Sequence, residues 1–156
     1  MLRLGLLIAL PVVVLDQISK WWILTEVMDP PKTIAVTGFF NLVLVWNRGV
    51  SFGLFDSNSA WGPVLLTALA LAIAAGLVVW LRRAGSRLAA AAIGLVLGGA
   101  IGNVIDRVRF GAVADFLDFH AAGYHWPAFN VADSAISVGV GLLLYDGLFE
   151  SRRKSE

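Results

Sequence analysis

No cysteine occurs in the 156 residues, which excludes a disulfide framework, a thiolate nucleophile and a thiolate metal site, and leaves cysteine usage silent on redox compartment. Histidine is nearly as scarce, with His120 and His125 the only two. They form no H-E-x-x-H arrangement and no glutamate lies between Glu26 and Glu150, so zinc proteolysis lacks its parts. Both histidines are expected as interfacial loop residues, and neither a metal nor a cofactor is expected. Charge is thin as well. Only 15% of residues are charged and the net charge is +1, far from the basic field that nucleic-acid binding needs. What fills the space is apolar: 58% of the residues, with a mean hydropathy of +0.79, more hydrophobic surface than a soluble domain of this length can bury. A bilayer must supply the solvent, and the length permits one domain, residues 1–156.

Crossing roughly 30 Å of hydrocarbon takes about 20 helical residues, and four segments meet that length: 4–24, 61–81, 88–108 and 131–149. The start, Met1-Leu2-Arg3 and an apolar run, imitates a signal peptide. No small-residue A-x-A site follows it, and the run continues through Asp16-Gln17-Ile18-Ser19-Lys20 into Trp21 and Trp22, so it reads as a retained first span. The expected fold is an all-α integral membrane protein of four transmembrane helices. Arg3, the turn Arg82-Arg83-Ala84-Gly85-Ser86-Arg87 and the tail Arg152-Arg153-Lys154 fall on one side. By the positive-inside rule both termini and the loop between spans two and three are cytoplasmic.

The two longer connections then face outward. In the first, Thr33–Val36, Phe39–Trp46 and Val50–Phe55 are β-branched and aromatic runs separated by Thr37-Gly38 and Asn47-Arg48-Gly49, which predicts a small extracytoplasmic sheet. The second, 109–130, contains Gly111, Gly123, Tyr124, Trp126 and Pro127 and predicts a short interfacial segment. Gly94, Gly98 and Gly102 recur every four residues on span three, so a neighbouring helix can approach its backbone closely. Gly98-Gly99-Ala100-Ile101-Gly102 is no phosphate loop, since it lies inside an apolar span with no preceding strand and no Lys-Ser or Lys-Thr.

Ionisable residues inside a membrane are costly and point to function or pairing. Asp115, just past the outer end of span three, and Asp133, at the outer start of span four, are expected at similar depth. Two carboxylates that share one proton can activate water with one member and protonate a scissile carbonyl with the other. On depth alone the alternative carries equal weight: Asp115 a surface turn residue, Asp133 the N-cap of span four. A Ser19-Lys20 dyad is disfavoured because adjacent helical residues diverge, and the Gly-x-Gly-Asp signature of another aspartyl protease class is absent. Asp16 and Lys20, at i and i+4, can pair within their helix. Asn103 precedes Asp106 and Arg107, which need separate partners. Arg107 is read either as orienting a carboxylate or lipid phosphate or as a snorkelling interface residue.

Five blocks in order carry a resemblance: Asp16-Gln17-Ile18-Ser19-Lys20, Asn47-Arg48-Gly49-Val50-Ser51-Phe52, Gly98-Gly99-Ala100-Ile101-Gly102-Asn103-Val104-Ile105-Asp106-Arg107, Val113-Ala114-Asp115-Phe116 and Phe129-Asn130-Val131-Ala132-Asp133-Ser134. Over essentially its whole length the chain resembles the bacterial lipoprotein signal peptidases (signal peptidase II). The resemblance implies an aspartyl endopeptidase of the bacterial inner membrane. It would cut diacylglyceryl-modified prolipoproteins on the amino side of the lipidated cysteine, with Asp115 and Asp133 as the catalytic pair. It further implies that Asn103, Arg107 and Asn130 position the pair and substrate. Asn47 and Gly49 would lie over the site, and Asp16, Lys20 and Asp106 would support it. Expected partners are these prolipoproteins and membrane lipids, the chain acting as a monomer with its site near the outer leaflet. The rival from another class is a small proton-coupled transporter, whose acidic groups belong near mid-membrane rather than at the outer rim. A packing subunit would use the glycines but leave the acidic pair idle.

Overall fold

A computed structural model describes residues 1–49 and 61–153. Helices occupy all four apolar segments: α1 (Leu2–Trp22), α2 (Trp61–Arg82), α3 (Arg87–Phe110) and α4 (Val131–Arg153). Each is long and apolar enough to cross a bilayer. Leu7, Leu10, Leu69, Val108 and Leu148 are exposed on the bundle's outside, a distribution suited to lipid and foreign to a soluble surface. α3 is the central helix, most of it buried, whereas α1, α2 and α4 show most of their surface to the surroundings.

Glycines explain why α3 can be central. A methyl group at Gly94 would meet the Gly5 carbonyl oxygen at 2.5 Å, and one at Gly98 would meet Ala9 O and Val12 at 2.7 Å. One at Gly102 would strike the Asp16 carboxylate at 2.5 Å. The predicted four-residue stripe is thus the seam against α1, as small-residue spacing allows. Gly99, one residue off that stripe, faces α4 at Ala132, and Gly139 of α4 returns the contact at Ala92. At the far end, Ser86 caps α3 by accepting from the Ala89 N–H at 2.8 Å, and its hydroxyl donates to Asp146 of α4 at 2.9 Å. This bond occupies the Asp146 carboxylate in the later half of α4.

Beyond the ends of the helices opposite Arg82 and Arg87 lies a four-stranded sheet of order β1-β2-β3-β4, with β1 at Ile34–Thr37, β2 at Phe40–Asn47, β3 at Val113–Ala121 and β4 at Tyr124–His125. Adjacent strands are antiparallel. The first two strands fall where β-branched patterning places them. The run Val50–Phe55 lies outside the described residues. The second outer connection differs from the short interfacial segment expected: it supplies the longest strand, β3, because β2 offers it a ladder from Asn47↔Val113 to Phe40↔Phe119. Its glycines sit outside that strand. Gly111, at φ 70°, caps α3 with its N–H on Arg107 O at 3.0 Å, the left-handed stop that favours glycine, and Gly123 lies in the β3–β4 turn. His120 and His125 are therefore not loop residues but face each other across the β3–β4 pair, rings 4.9 Å apart. Ile23, Met28 and Phe116, with Ile34, Leu42, Leu117 and Val131 packed around them, fasten the sheet to the bundle.

Candidate active site

Asp115 and Asp133 come to bond the same residue, Asn130, through a chain reversal. β3 pairs with β2 on one side. On the other, the Phe116 and Leu117 N–H groups donate to Phe129 O at 3.0 and 2.9 Å, and Phe129 N–H donates to Leu117 O at 3.1 Å. That bridge sets Asn130 beside Asp115 and starts α4 one residue later. The N-cap of α4 is Asn130, not Asp133: the Asp133 N–H donates to Asn130 Oδ1 at 2.9 Å and the Asn130 N–H donates to Asp133 Oδ2 at 3.2 Å. This is a reciprocal capping box, in which Asp133 holds the third helical position. Asp115, for its part, is no turn residue. It lies within β3 and is 1% exposed.

Three asparagines surround the carboxylates, and each has its amide oxygen held by a group that can only donate. Asn47 Oδ1 accepts from the Gly49 N–H at 2.8 Å, so its Nδ2 donates to Asp115 Oδ2 at 2.9 Å. Gly49 makes that turn at φ 80°, and a side chain there would run into Leu66. Asn130, its oxygen on the Asp133 N–H, donates from Nδ2 to Asp115 Oδ1 at 2.7 Å. Asn103, its oxygen on Lys20 Nζ at 3.1 Å, donates from Nδ2 to Asp133 Oδ1 at 2.8 Å. Asn130 Nδ2 also reaches Asn103 Oδ1 at 3.2 Å, so one network embraces both acids. Burial pushes the Asp115 carboxyl up to about 6; the like charge of Asp133 pushes the same way, against the Asn47 and Asn130 amides and the Lys20 ammonium.

Behind Asn103 lies a buried charge cluster. Lys20 Nζ stands 2.9 Å from both Asp16 Oδ2 and Asp106 Oδ2, so the expected intrahelical pair is one half of an α1–α3 triad. Asp16 Oδ1 accepts from the Ala132 N–H at 2.9 Å and Asp106 Oδ2 from the Ala114 N–H at 3.1 Å, fixing the starts of α4 and β3. Gln17 was not singled out by sequence reasoning, yet its Nε2 lies 3.1 Å from Asp16, 3.0 Å from Asp106 and 3.2 Å from Gly102 O. Its place in the first sequence block was the available signal. The expectation that Asp106 and Arg107 have separate partners matches the geometry. Arg107 donates from one terminal nitrogen to Asn103 O at 3.5 Å, and its buried Nε has no partner among the described residues.

Space for a substrate adjoins these groups. A cavity of about 480 Å³ is lined by Val45, Trp46, Asn47, Arg48, Asp115, Pro127 and Ala128, within the size range of ligand sites. A second, mainly apolar groove of about 630 Å³ runs between α2 and α3 and has Arg107 in its wall. No group of His, Cys, Asp and Glu among the described residues is arranged to hold a metal.

The family profile described as "Signal peptidase (SPase) II" matches residues 8–149. A lipoprotein signal peptidase of Methylorubrum extorquens (strain PA1) is 51% identical over 149 residues, spanning 94% of this chain and 86% of that protein. One of Cupriavidus necator is 50% identical over 147 residues, spanning 93% and 83%. A solved bacterial membrane enzyme superposes with a TM-score of 0.81 at 32% identity, covering 96% of this chain and 90% of its own. These likenesses support a protease that cleaves signal peptides and processes lipoproteins, and lend nothing to a proton-coupled transporter. The chain belongs to the signal peptidase II family.

Proposed function

We propose that the protein is an aspartic endopeptidase that cuts diacylglyceryl-modified prolipoproteins on the amino side of the lipidated cysteine, with Asp133 as general base and Asp115 as general acid. The observation that carries this is the bonding of both carboxyl groups to one asparagine, Asn130. Asp115, whose proton is held up to about 6 by burial first, protonates the scissile carbonyl oxygen. Asp133 takes a proton from water as the water oxygen bonds to the carbonyl carbon. When the tetrahedral species collapses, the carbon–nitrogen bond breaks, Asp133 passes its proton to the departing amine, and the hydroxyl of the species returns one to Asp115. Asn47, Gly49, Asn103 and Asn130 hold the pair. Arg107, its Nε without a partner among the described residues, faces substrate, and Asp16, Lys20 and Asp106 support the network from behind.

The distribution of Arg3, Arg82, Arg83, Arg87 and Arg152 supports cytoplasmic termini and a site at the outer leaflet of the inner membrane, where a monomer meets its substrate sideways from the lipid. Acyl chains worth about 0.8 kcal/mol per buried CH₂ hold the modified cysteine at the height of Asp115. Depth then selects lipidated substrates with little reading of sequence. The test is cleavage of a purified diacylglyceryl-prolipopeptide in detergent by wild type, Asp115→Asn and Asp133→Asn. Both variants should fold, with a lowered thermal midpoint because an amide nitrogen then faces one of the donors, and lose about 100-fold or more in turnover, the range of a general acid or base. Either variant within about tenfold of wild type removes that residue from the mechanism. Equal cutting of the unlipidated peptide removes the depth filter.

A further inference from the structure

We propose that Lys20 is a positioning residue of the peptidase reaction, its buried ammonium holding the Asn103 amide in the one orientation that presents a donor to Asp133. The inference rests on the Asp115–Asp133 reading above and adds to it a residue of α1.

Of the three asparagines around the acids, Asn47 and Asn130 have their oxygens fixed by backbone N–H groups. Short of proline, no replacement removes those donors. Asn103 is different: its oxygen is held by the Lys20 side chain at 3.1 Å, while its nitrogen stands 2.8 Å from Asp133. An ammonium carries three hydrogens and no lone pair. A flipped Asn103 would set its amide hydrogens against that ammonium and its oxygen against the Asp133 carboxylate, unfavourable at both ends. Asn130 Nδ2, the other donor to Asn103 Oδ1 at 3.2 Å, makes its shorter bond to Asp115 at 2.7 Å.

Lys20 is itself fully committed. Its ammonium pairs with Asp16 and Asp106 at 2.9 Å each and, third, donates to Asn103 at 3.1 Å, and its side chain is 3% exposed. The two carboxylates alone would account for a structural ion pair joining α1 to α3. The third bond connects that pair to the reacting acids. Gly102 makes the placement possible, since any Cβ there would displace the Asp16 carboxylate that fixes Lys20.

The experiment is a double-mutant cycle of Lys20→Met and Asn103→Leu, with kcat and KM measured separately on the diacylglyceryl-prolipopeptide and thermal midpoints on every variant. Folded Lys20→Met should lose about 10- to 100-fold in kcat, the scale of a hydrogen bond to a charged group, with KM within about twofold. Adding it to Asn103→Leu should change kcat no further, because the two act in series. Losses that multiply in the double variant, or a folded Lys20→Met within about threefold of wild type, overturn the proposal. Should two unpaired carboxylates prevent folding of Lys20→Met, the same cycle is run in Asp16→Asn, which removes one of the charges. Failure of the underlying reading shows elsewhere, as turnover by Asp133→Asn, and is read from that arm.

Discussion

Replacing Asn130 by serine or by alanine separates two duties that one side chain performs. Its oxygen caps α4 at the Asp133 N–H and its nitrogen holds Asp115 at 2.7 Å. Serine is an equally good N-cap but too short to span to Asp115, whereas alanine does neither. Loss of the cap costs about 1 kcal/mol, so Asn130→Ser should be more stable than Asn130→Ala by about that amount, or about 2–4 °C in thermal midpoint for a chain of this size. Loss of the amide bond leaves a buried carboxyl oxygen without its donor, worth about 1–3 kcal/mol. If that bond holds Asp115 for reaction, kcat/KM should fall about 5- to 150-fold in both variants. The assays are thermal unfolding in detergent and cleavage of the lipidated peptide. Asn130→Ser at wild-type activity would refute the positioning argument, and equal midpoints for serine and alanine would refute the capping one.

Gly98→Val places a branched side chain where Ala9 O and Val12 already lie 2.7 Å from the Cβ position; overpacking of about 1–3 kcal/mol should lower the thermal midpoint, and an unchanged midpoint would mean that α1 gives way freely. Ser86→Ala removes the cap of α3 and the donor to Asp146. A loss of about 1 kcal/mol in denaturation, with unchanged kcat/KM, is expected from a site at the opposite end of the bundle.

Elements whose cause is local were legible in the sequence. Twenty-residue apolar runs can only be helices in lipid, and the glycine stripe of α3 is a statement about one helix face. The Asp16–Lys20 spacing is local too, but its completion by Asp106 depends on how α1 and α3 cross. β3 was missed because its partner, β2, is some 70 residues away in the chain, and Gly111 and Gly123 looked like interruptions when they bound the strand. That the cap of α4 falls on Asn130, and not on Asp133 as the alternative left open on depth alone had it, has a similar reason. Either residue suits a helix start, and only the Leu117–Phe129 bridge decides where the helix begins. That same bridge sets both acids on Asn130, a tertiary fact for which residue order supplies motifs but no geometry.

The central claim is a single proton held between Asp115 and Asp133, and the pH dependence of kcat/KM tests it most directly because it reports the free enzyme. The Asp115 carboxyl, pushed up to about 6 chiefly by burial, must be protonated to act. The account therefore predicts that kcat/KM for the lipidated peptide falls about tenfold per pH unit once pH rises past that value, and that Asp115→Asn abolishes this limb together with the activity. A profile that is flat or rising from about pH 5 to about pH 8 would contradict it.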